Sequence, residues 1–364
     1  MVNFTDIIFG IVMIVCAGLL SFTATPIVRV LAYKVKAVDV PKDNRRMHKV
    51  PTPRLGGLAI FFGFLVTVLL FCEMDKQIIG VLIGAFVIVI LGVLDDIYRL
   101  PAVPKFLVQI IASCIPVFCG VVINHVNFFG KYIYFGVWSI PITVFWLVAV
   151  TNAVNLIDGL DGLACGVSTI SAFSMLVFAL LSPVVDFNVA MITAILAGAC
   201  LGFLPFNMNP AKIFMGDTGA LFLGFMLGNI SVMGLFKANA LISFATPFFV
   251  LALPLFDTIF AIVRRLIKGQ SPFHADRGHL HHRLIDIGLS QKQTVAILYA
   301  LSALMGVAGI IFSEEKMISA VVLLLVVLAV GFINWRIFQG DEETREHSGL
   351  NIHARADQIK NKEE

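Results

Sequence analysis

Charge is what this sequence has least of. Asp, Glu, Lys and Arg make up only 13% of its 364 residues, while 59% are hydrophobic; a soluble domain carries roughly 25% and 45–50%. That balance excludes an ordinary water-facing surface and leaves lipid as the solvent. No Lys or Arg precedes Arg29, so the basic region of a cleaved secretory signal is missing and the first apolar run is expected to stay as a span. The six cysteines, Cys16, Cys72, Cys114, Cys119, Cys165 and Cys200, lie inside apolar runs without the paired spacing of a metal site, which makes them packing residues. Nucleic-acid motifs are absent too, so no nucleic-acid partner is expected.

What is present is a series of apolar runs, each near the roughly 20 residues that cross a bilayer as a helix. Eleven are expected, at 5–31, 55–72, 78–95, 105–123, 139–155, 163–182, 188–205, 219–236, 240–266, 293–313 and 317–338. The fold class is therefore an all-α integral membrane protein. One set of alternate loops holds only Lys76, Lys131, Lys237 and Lys316 of the 26 Lys and Arg residues. Because cationic loops stay in the cytoplasm, the N-terminus is expected outside and the C-terminus inside a cell membrane. An outer segment, 124–138, alternates around Gly130 and reads as a small β-hairpin. Residues 1–338 form the membrane domain, and the polar stretch 339–364 reads as a mobile tail.

Asp95, Asp96, Asp158, Asp161 and Asp217 all fall at cytoplasmic ends of expected spans. Aspartate is costly in a membrane bundle, and solvated helix ends would explain each one singly better than they explain the clustering of five on one side. Asp95 and Asp96 follow the run Val87–Leu94; neighbours on a helix diverge by about 100° and so take different partners. Arg99 and Lys105 are near enough to pair with one of them. In Thr151–Gly162, Asn152, Asn155, Asp158 and Asp161 recur every third residue, which aligns them on one face if the helix continues, although Gly159 and Gly162 favour a break. Amide and carboxylate oxygens together suit Mg²⁺ or the donors of a nucleobase and ribose. Asn207 precedes Ile213–Gly219, where Asp217 opens a helix, either as a simple cap or as part of a phosphate and Mg²⁺ site beside Lys212. The loop Ser271–Arg283 brings Arg277, His279, His281, His282 and Arg283 together. Its arginines disfavour a metal and favour an anion such as a diphosphate. Segment 39–57 adds His48, Lys49 and Arg54.

The stretches HKVPTPRLGG, GVLDD, NAVNLIDGLDG, FMGDTG and DRGHLHHRL, in that order from about Asp39 to Arg283, resemble the polyprenyl-phosphate N-acetylhexosamine-1-phosphate transferase family. The resemblance implies Mg²⁺, with Mn²⁺ as the alternative, on Asn155 and Asp217, and Asp95, Asp96 and Lys105 in catalysis. It implies substrate contacts from Lys49, Asn152, Asp158, Asp161, Asn207, Arg277, His279, His281 and His282. The form DRGHLHHRL, with Leu253–Asp257 and Arg264-Arg265, is similar to the GlcNAc-1-phosphate branch. Leu280 interrupts the three-histidine run typical of the pentapeptide translocase branch.

The implied reaction moves a sugar-1-phosphate, most simply GlcNAc-1-phosphate, from a UDP-sugar to undecaprenyl phosphate and releases UMP. Its partners are those two substrates and the bilayer, and a homodimer is compatible with the sequence. The residues fit phosphoryl transfer by positioning and charge neutralisation. Either Asp95 or Asp96 deprotonates the acceptor, or the reaction passes through an aspartyl-phosphate. The alternatives are the pentapeptide translocase and, in another class, an ion-coupled transporter of nucleotide sugars. Transporters place their carboxylates near the midplane and often carry internal repeats.

Overall fold

The fold is that of a computed structural model, which describes residues 4–40, 51–128, 131–182, 187–234, 245–267, 269 and 278–313. All of these belong to one compact unit, Met1–Met317; a second unit, Ile318–Glu364, lies outside the described residues together with the expected span 317–338 and the tail.

The described residues are built almost entirely into helices. In order they are α1 (Phe4–Lys34), α2 (Gly57–Phe71), α3 (Lys76–Tyr98), α4 (Ala102–Phe118), α5 (Ser139–Ile157), α6 (Leu163–Leu181), α7 (Phe187–Asn207), α8 (Gly216–Met233), α9 (Ala245–Val250), α10 (Ala252–Ile267), α11 (Leu280–Asp286) and α12 (Gln291–Ser313). Six are long and apolar enough to cross a membrane: α1, α3, α5 with the 3₁₀ turn before it, α6, α7 and α12. Helices α2 and α4 are shorter and apolar. Two strand pairs complete the described structure. In β1 (Val38–Asp39) and β2 (Thr52–Pro53) a short antiparallel bridge ties the segment after α1 to the entry of α2. In β3 (His125–Phe128) and β4 (Lys131–Tyr134) the expected hairpin forms, with His125 opposite Tyr134 and Phe128 opposite Lys131.

Helix α8 is the axis of the bundle. From Thr218 to Met233 every residue is buried, with α2, α3, α5 and α6 packed around it. Glycines let the neighbours close in. A Cβ on Gly57 of α2 would fall 2.1 Å from the Gly219 nitrogen, and one on Gly92 of α3 would fall 2.4 Å from the Thr218 Cα. Where lipid offers no hydrophobic drive between helices, such close backbone approach supplies the packing. At its far end α8 is tied to α5 by the Trp146 indole, which donates to Ser231 Oγ at 2.8 Å.

One expected span is corrected. Residues 240–266 do not form a single rod; within its described part, α9 ends at Val250 and α10 begins at Ala252. Pro254 has no N–H to offer the Val250 carbonyl one turn back. That carbonyl instead accepts from Ser171 Oγ of α6 at 3.0 Å, so the break leaves no orphan acceptor.

Candidate active site

Helix α3 begins with Asp75, whose side chain accepts from the Ile78 N–H at 2.7 Å, and ends at Arg99 in the left-handed conformation. Its last turn carries Asp95 and Asp96, and the two carboxylates do part ways. Asp95 Oδ1 accepts from the Leu100 N–H at 2.7 Å, while Oδ2 pairs with Lys105 Nζ of α4 at 2.6 Å. Asp96 turns to the start of α8. Its Oδ1 accepts from the Asp217 N–H at 3.0 Å, and its Oδ2 accepts from the Thr218 N–H and hydroxyl at 3.0 and 2.7 Å. Arg54 Nε stands 3.5 Å from Oδ1. The Asp96 side chain is wholly enclosed, so it serves as the cap of α8, satisfying amides that a helix start leaves open. Gly216 makes room for it: φ is +72°, and a Cβ there would meet the Arg54 carbonyl and the Asp96 carboxylate.

With α8 capped by another residue, Asp217 is freed to face outward. Its Oδ1 accepts from Asn155 Nδ2 of α5 at 2.9 Å, and its Oδ2 lies 3.6 Å from Lys105 Nζ. Asp217 and Lys105 keep 25% of their side-chain surface open. Asp95, Lys105, Asp217 and Asn155 thus form one connected cluster contributed by four helices. No group of three or more His, Cys, Asp or Glu side chains arranged as metal ligands occurs among the described residues. The oxygen donors here, one partly open carboxylate beside an amide, suit Mg²⁺, which takes few protein ligands and completes its shell with water and phosphate oxygens.

The other site residues from the sequence separate. Asn152 donates to Gln109 Oε1 at 2.5 Å and to the Val148 carbonyl at 2.8 Å, packing α5 against α4. Helix α5 stops at Ile157, so Asp158 and Asp161 belong to a turn and do not continue its face. Half-buried Asp158 is pushed up to about 8 by burial and by the charges of Asp217 and Asp96. Asp161 Oδ2 accepts from Asn209 Nδ2 at 2.9 Å and the Ala211 N–H at 3.0 Å, pinning the loop before α8. Asn209 also donates to Gln291 of α12 at 2.7 Å. Asn207 is buried and donates to the Ile213 carbonyl at 3.1 Å within that loop. Lys49, His48 and Arg277 lie outside the described residues.

The histidines do reach the Asp158–Asp161 turn. His281 is buried against Gly159, where a Cβ would lie 2.3 Å from its Nε2. Burial, then the neighbouring His282, lowers His281 to about 4, so it is an uncharged ring at neutral pH. It lies parallel to His279, with centroids 5.8 Å apart and planes 11° apart, and 4.3 Å from the His282 ring. His279 Nδ1 meets Asp257 Oδ2 of α10 at 2.9 Å. Tyr299 of α12 supports the turn from behind, donating its hydroxyl to the Gly162 carbonyl at 2.5 Å.

Sequence reasoning left several of these partners without a role. Thr218, Gln109, Asn209, Gln291 and Tyr299 carried no signal beyond ordinary polar residues. Asp257 did carry one, since a carboxylate set among apolar helix residues needs a partner.

Comparison with known proteins agrees with the motif order. Residues 78–235 match the family model described as glycosyl transferase family 4. A probable undecaprenyl-phosphate N-acetylglucosaminyl 1-phosphate transferase of Bacillus subtilis is 41% identical over 293 residues, covering 80% of this chain and 81% of that protein. A decaprenyl-phosphate N-acetylglucosaminephosphotransferase of Mycolicibacterium smegmatis is 36% identical over 346 residues, 86% of this chain and 85% of its own length. A phospho-N-acetylmuramoyl-pentapeptide-transferase of Staphylococcus saprophyticus is similar at 30% over 319 residues, 81% of this chain and 97% of that protein. Relatives of this identity extending along most of both chains place the protein in glycosyl transferase family 4, among the polyprenyl-phosphate N-acetylhexosamine-1-phosphate transferases.

Proposed function

We propose that this protein transfers GlcNAc-1-phosphate from UDP-GlcNAc to undecaprenyl phosphate, releasing UMP. The observation that carries the reading is the cluster in which Lys105 bridges Asp95 and Asp217 while Asp217 also meets Asn155. Relatives named for N-acetylglucosaminyl phosphate transfer at 41% and 36% identity are more similar to this chain than relatives named as pentapeptide transferases at 34% and 30%, which favours the GlcNAc donor.

The chemistry asked of the chain is positioning and charge neutralisation rather than covalent catalysis by Ser or Cys. Asn155 and Asp217 would hold Mg²⁺, which when bound neutralises the diphosphate and the departing UMP. Lys105 adds positive charge beside the same carboxylate and pairs with Asp95. Of the two α3 carboxylates, Asp95 is the one to work on the acceptor phosphate. Asp96 is committed to the start of α8, whereas Asp95, though just as enclosed, pairs with the Lys105 that also faces Asp217. The turn bearing Asp158 and Asp161, with the histidine cluster behind it, lines the nucleotide and sugar side. Lys49 and Arg277 are assigned to the phosphates. Asn152 and Asn207 act by holding α5 and the loop before α8.

The wider setting is a cell membrane, crossed by eleven segments of which the ninth is broken near Leu251. The N-terminus is outside, the active site faces the cytoplasm, and 339–364 is a tail beyond the membrane domain. A homodimer fits this arrangement. The downstream pathway is a cell-wall or surface glycan whose first lipid-linked sugar this step supplies.

The test is direct. Purified protein with Mg²⁺, undecaprenyl phosphate and UDP-GlcNAc should release UMP and form a lipid diphosphate sugar. No UMP, together with uptake of the nucleotide sugar into liposomes holding the protein, would replace the enzyme with a transporter. Rapid quench that traps a phospho-aspartate would make the transfer two-step.

A further inference from the structure

Asp257 has a setting the transfer chemistry does not by itself explain. Helix α10 turns Phe256, Ile259, Phe260, Val263, Leu266 and Ile267 outward as an apolar face. It turns Asp257 inward, where only 9% of the residue is exposed. A carboxylate so placed is costly unless its oxygens are occupied. They are occupied separately: Oδ2 lies 2.9 Å from His279 Nδ1, and Oδ1 accepts from the Leu280 N–H at 2.8 Å.

An ionised carboxylate can only accept, so His279 Nδ1 must carry a hydrogen whether the ring is neutral or charged. Every change in the protonation of His279 then falls on Nε2. A second contact from α10 supports the same strand of chain. The Arg264 guanidinium lies across Gly278, where a Cβ would sit 2.1 Å from its Cζ. His279 in turn lies parallel to His281, and His281 rests on Gly159 of the turn that carries Asp158 and Asp161.

We propose that Asp257 is a positioning residue, which locks His279 in the Nδ1–H form and aims its Nε2 at the sugar diphosphate of the donor substrate. This rests on the transfer reading given above. In its neutral form Nε2 accepts a hydrogen bond from a sugar hydroxyl, and on taking up a proton it donates to a phosphate oxygen. Fixing Nδ1 confines that exchange to one atom.

The test uses the full chain in nanodiscs, with histidine labelled by ¹⁵N, and Asp257→Asn and Asp257→Glu variants. Loss of one signal in His279→Gln assigns the His279 resonances. The ligand-free wild type should show the Nδ1–H form for His279, and Asp257→Asn should lose that preference. In UMP release, Asp257→Asn should lower kcat about 10- to 100-fold, the range seen when a histidine loses its orienting partner. KM for the donor should move less, and Asp257→Glu should recover part of the loss. In a His279→Ala background Asp257→Asn should add little.

An Nε2–H form in the wild type would overturn the proposal even if Asp257→Asn fails to fold. So would a full additive loss in the His279→Ala background. A wild type that released no UMP would instead overturn the transfer reading, while the ring's tautomer would still report whether Asp257 fixes it.

Discussion

Asp96 and Thr218 are 122 residues apart in sequence and joined by two hydrogen bonds to one oxygen, the Thr218 N–H at 3.0 Å and its hydroxyl at 2.7 Å. The pair fixes the start of α8 to the end of α3, and so fixes where Asp217 stands relative to Asp95. Asp96→Ala should cost at least about 2 kcal/mol, because the first amides of α8 lose their cap and Arg54 loses a carboxylate beside it. Thr218→Val keeps the backbone bond and should cost less than about 1.5 kcal/mol. Thermal midpoints of the purified variants in one detergent decide this. An Asp96→Ala protein as stable as the wild type would remove the cap from the account.

Lys105 touches two carboxylates, and replacing it should be felt in rate rather than folding. Lys105→Met should lower kcat by about 100-fold or more, as expected when a charge stabilising a transition state is removed. Lys105→Arg keeps the charge but not the compact ammonium, and should fall between. Initial rates of UMP release at saturating donor are the measurement.

Asp217 is proposed to hold Mg²⁺ with Asn155. Chelation of divalent ions should abolish turnover and Mg²⁺ should restore it. Asp217→Ala should remain inactive at any Mg²⁺ concentration while keeping a wild-type elution profile and thermal midpoint. Asn155→Ala should retain some activity and need more Mg²⁺ for half-maximal rate. Full activity of Asp217→Ala would end the assignment.

The glycine contacts around α8 make a paired test. Gly57→Ala places a methyl 2.1 Å from the Gly219 nitrogen, so two backbones must separate; a loss of about 1–3 kcal/mol or failure to accumulate is expected. Gly10→Ala on α1 has open space around its Cβ and should be neutral or slightly stabilising. Equal midpoints for the two variants would contradict the packing described.

His281 gives a pH signature. Its folded value near 4 lies below its ordinary value, so between about 6.5 and 4 the unfolded chain binds the proton first. Stability should therefore be full above that range and be lost as pH falls through it. His281→Gln should flatten this part of the midpoint-against-pH curve, and unchanged curvature would mean that His281 is not the buried group responsible.

Much of the site was legible in the chain because its chemistry is carried by residues that a membrane bundle tolerates poorly. Asn155, Asp217, Asp95 and Lys105 were marked by type and position, and the structure gathers them. The commitments of individual oxygens were not legible. The three-residue spacing of Asn152 and Asn155 suggested a common face, but in a crowded bundle adjacent turns of one helix meet different neighbours, and Asn152 goes to Gln109. Asp161 meets Asn209, 48 residues away, through a loop whose path no local pattern specifies. The break at Leu251 was hidden because α9 and α10 are joined within one apolar stretch, and Ser171 of a distant helix supplies the hydrogen bond that makes the break tolerable.

Helix α8, about 27 Å long at 1.5 Å per residue, is held at one end by Asp96 and toward the other by the Trp146 to Ser231 bond. Bilayers differ in thickness, and helices answer by tilting. Because α8 is enclosed and α3 is fastened to its first turn, those two cannot slide past one another to match a thinner or thicker lipid. They must lean as one piece. The spacing between Asp95 and Asp217 is thus insulated from the membrane's thickness, and adjustment falls to the outer helices such as α1, whose lipid-facing residues are free of the site.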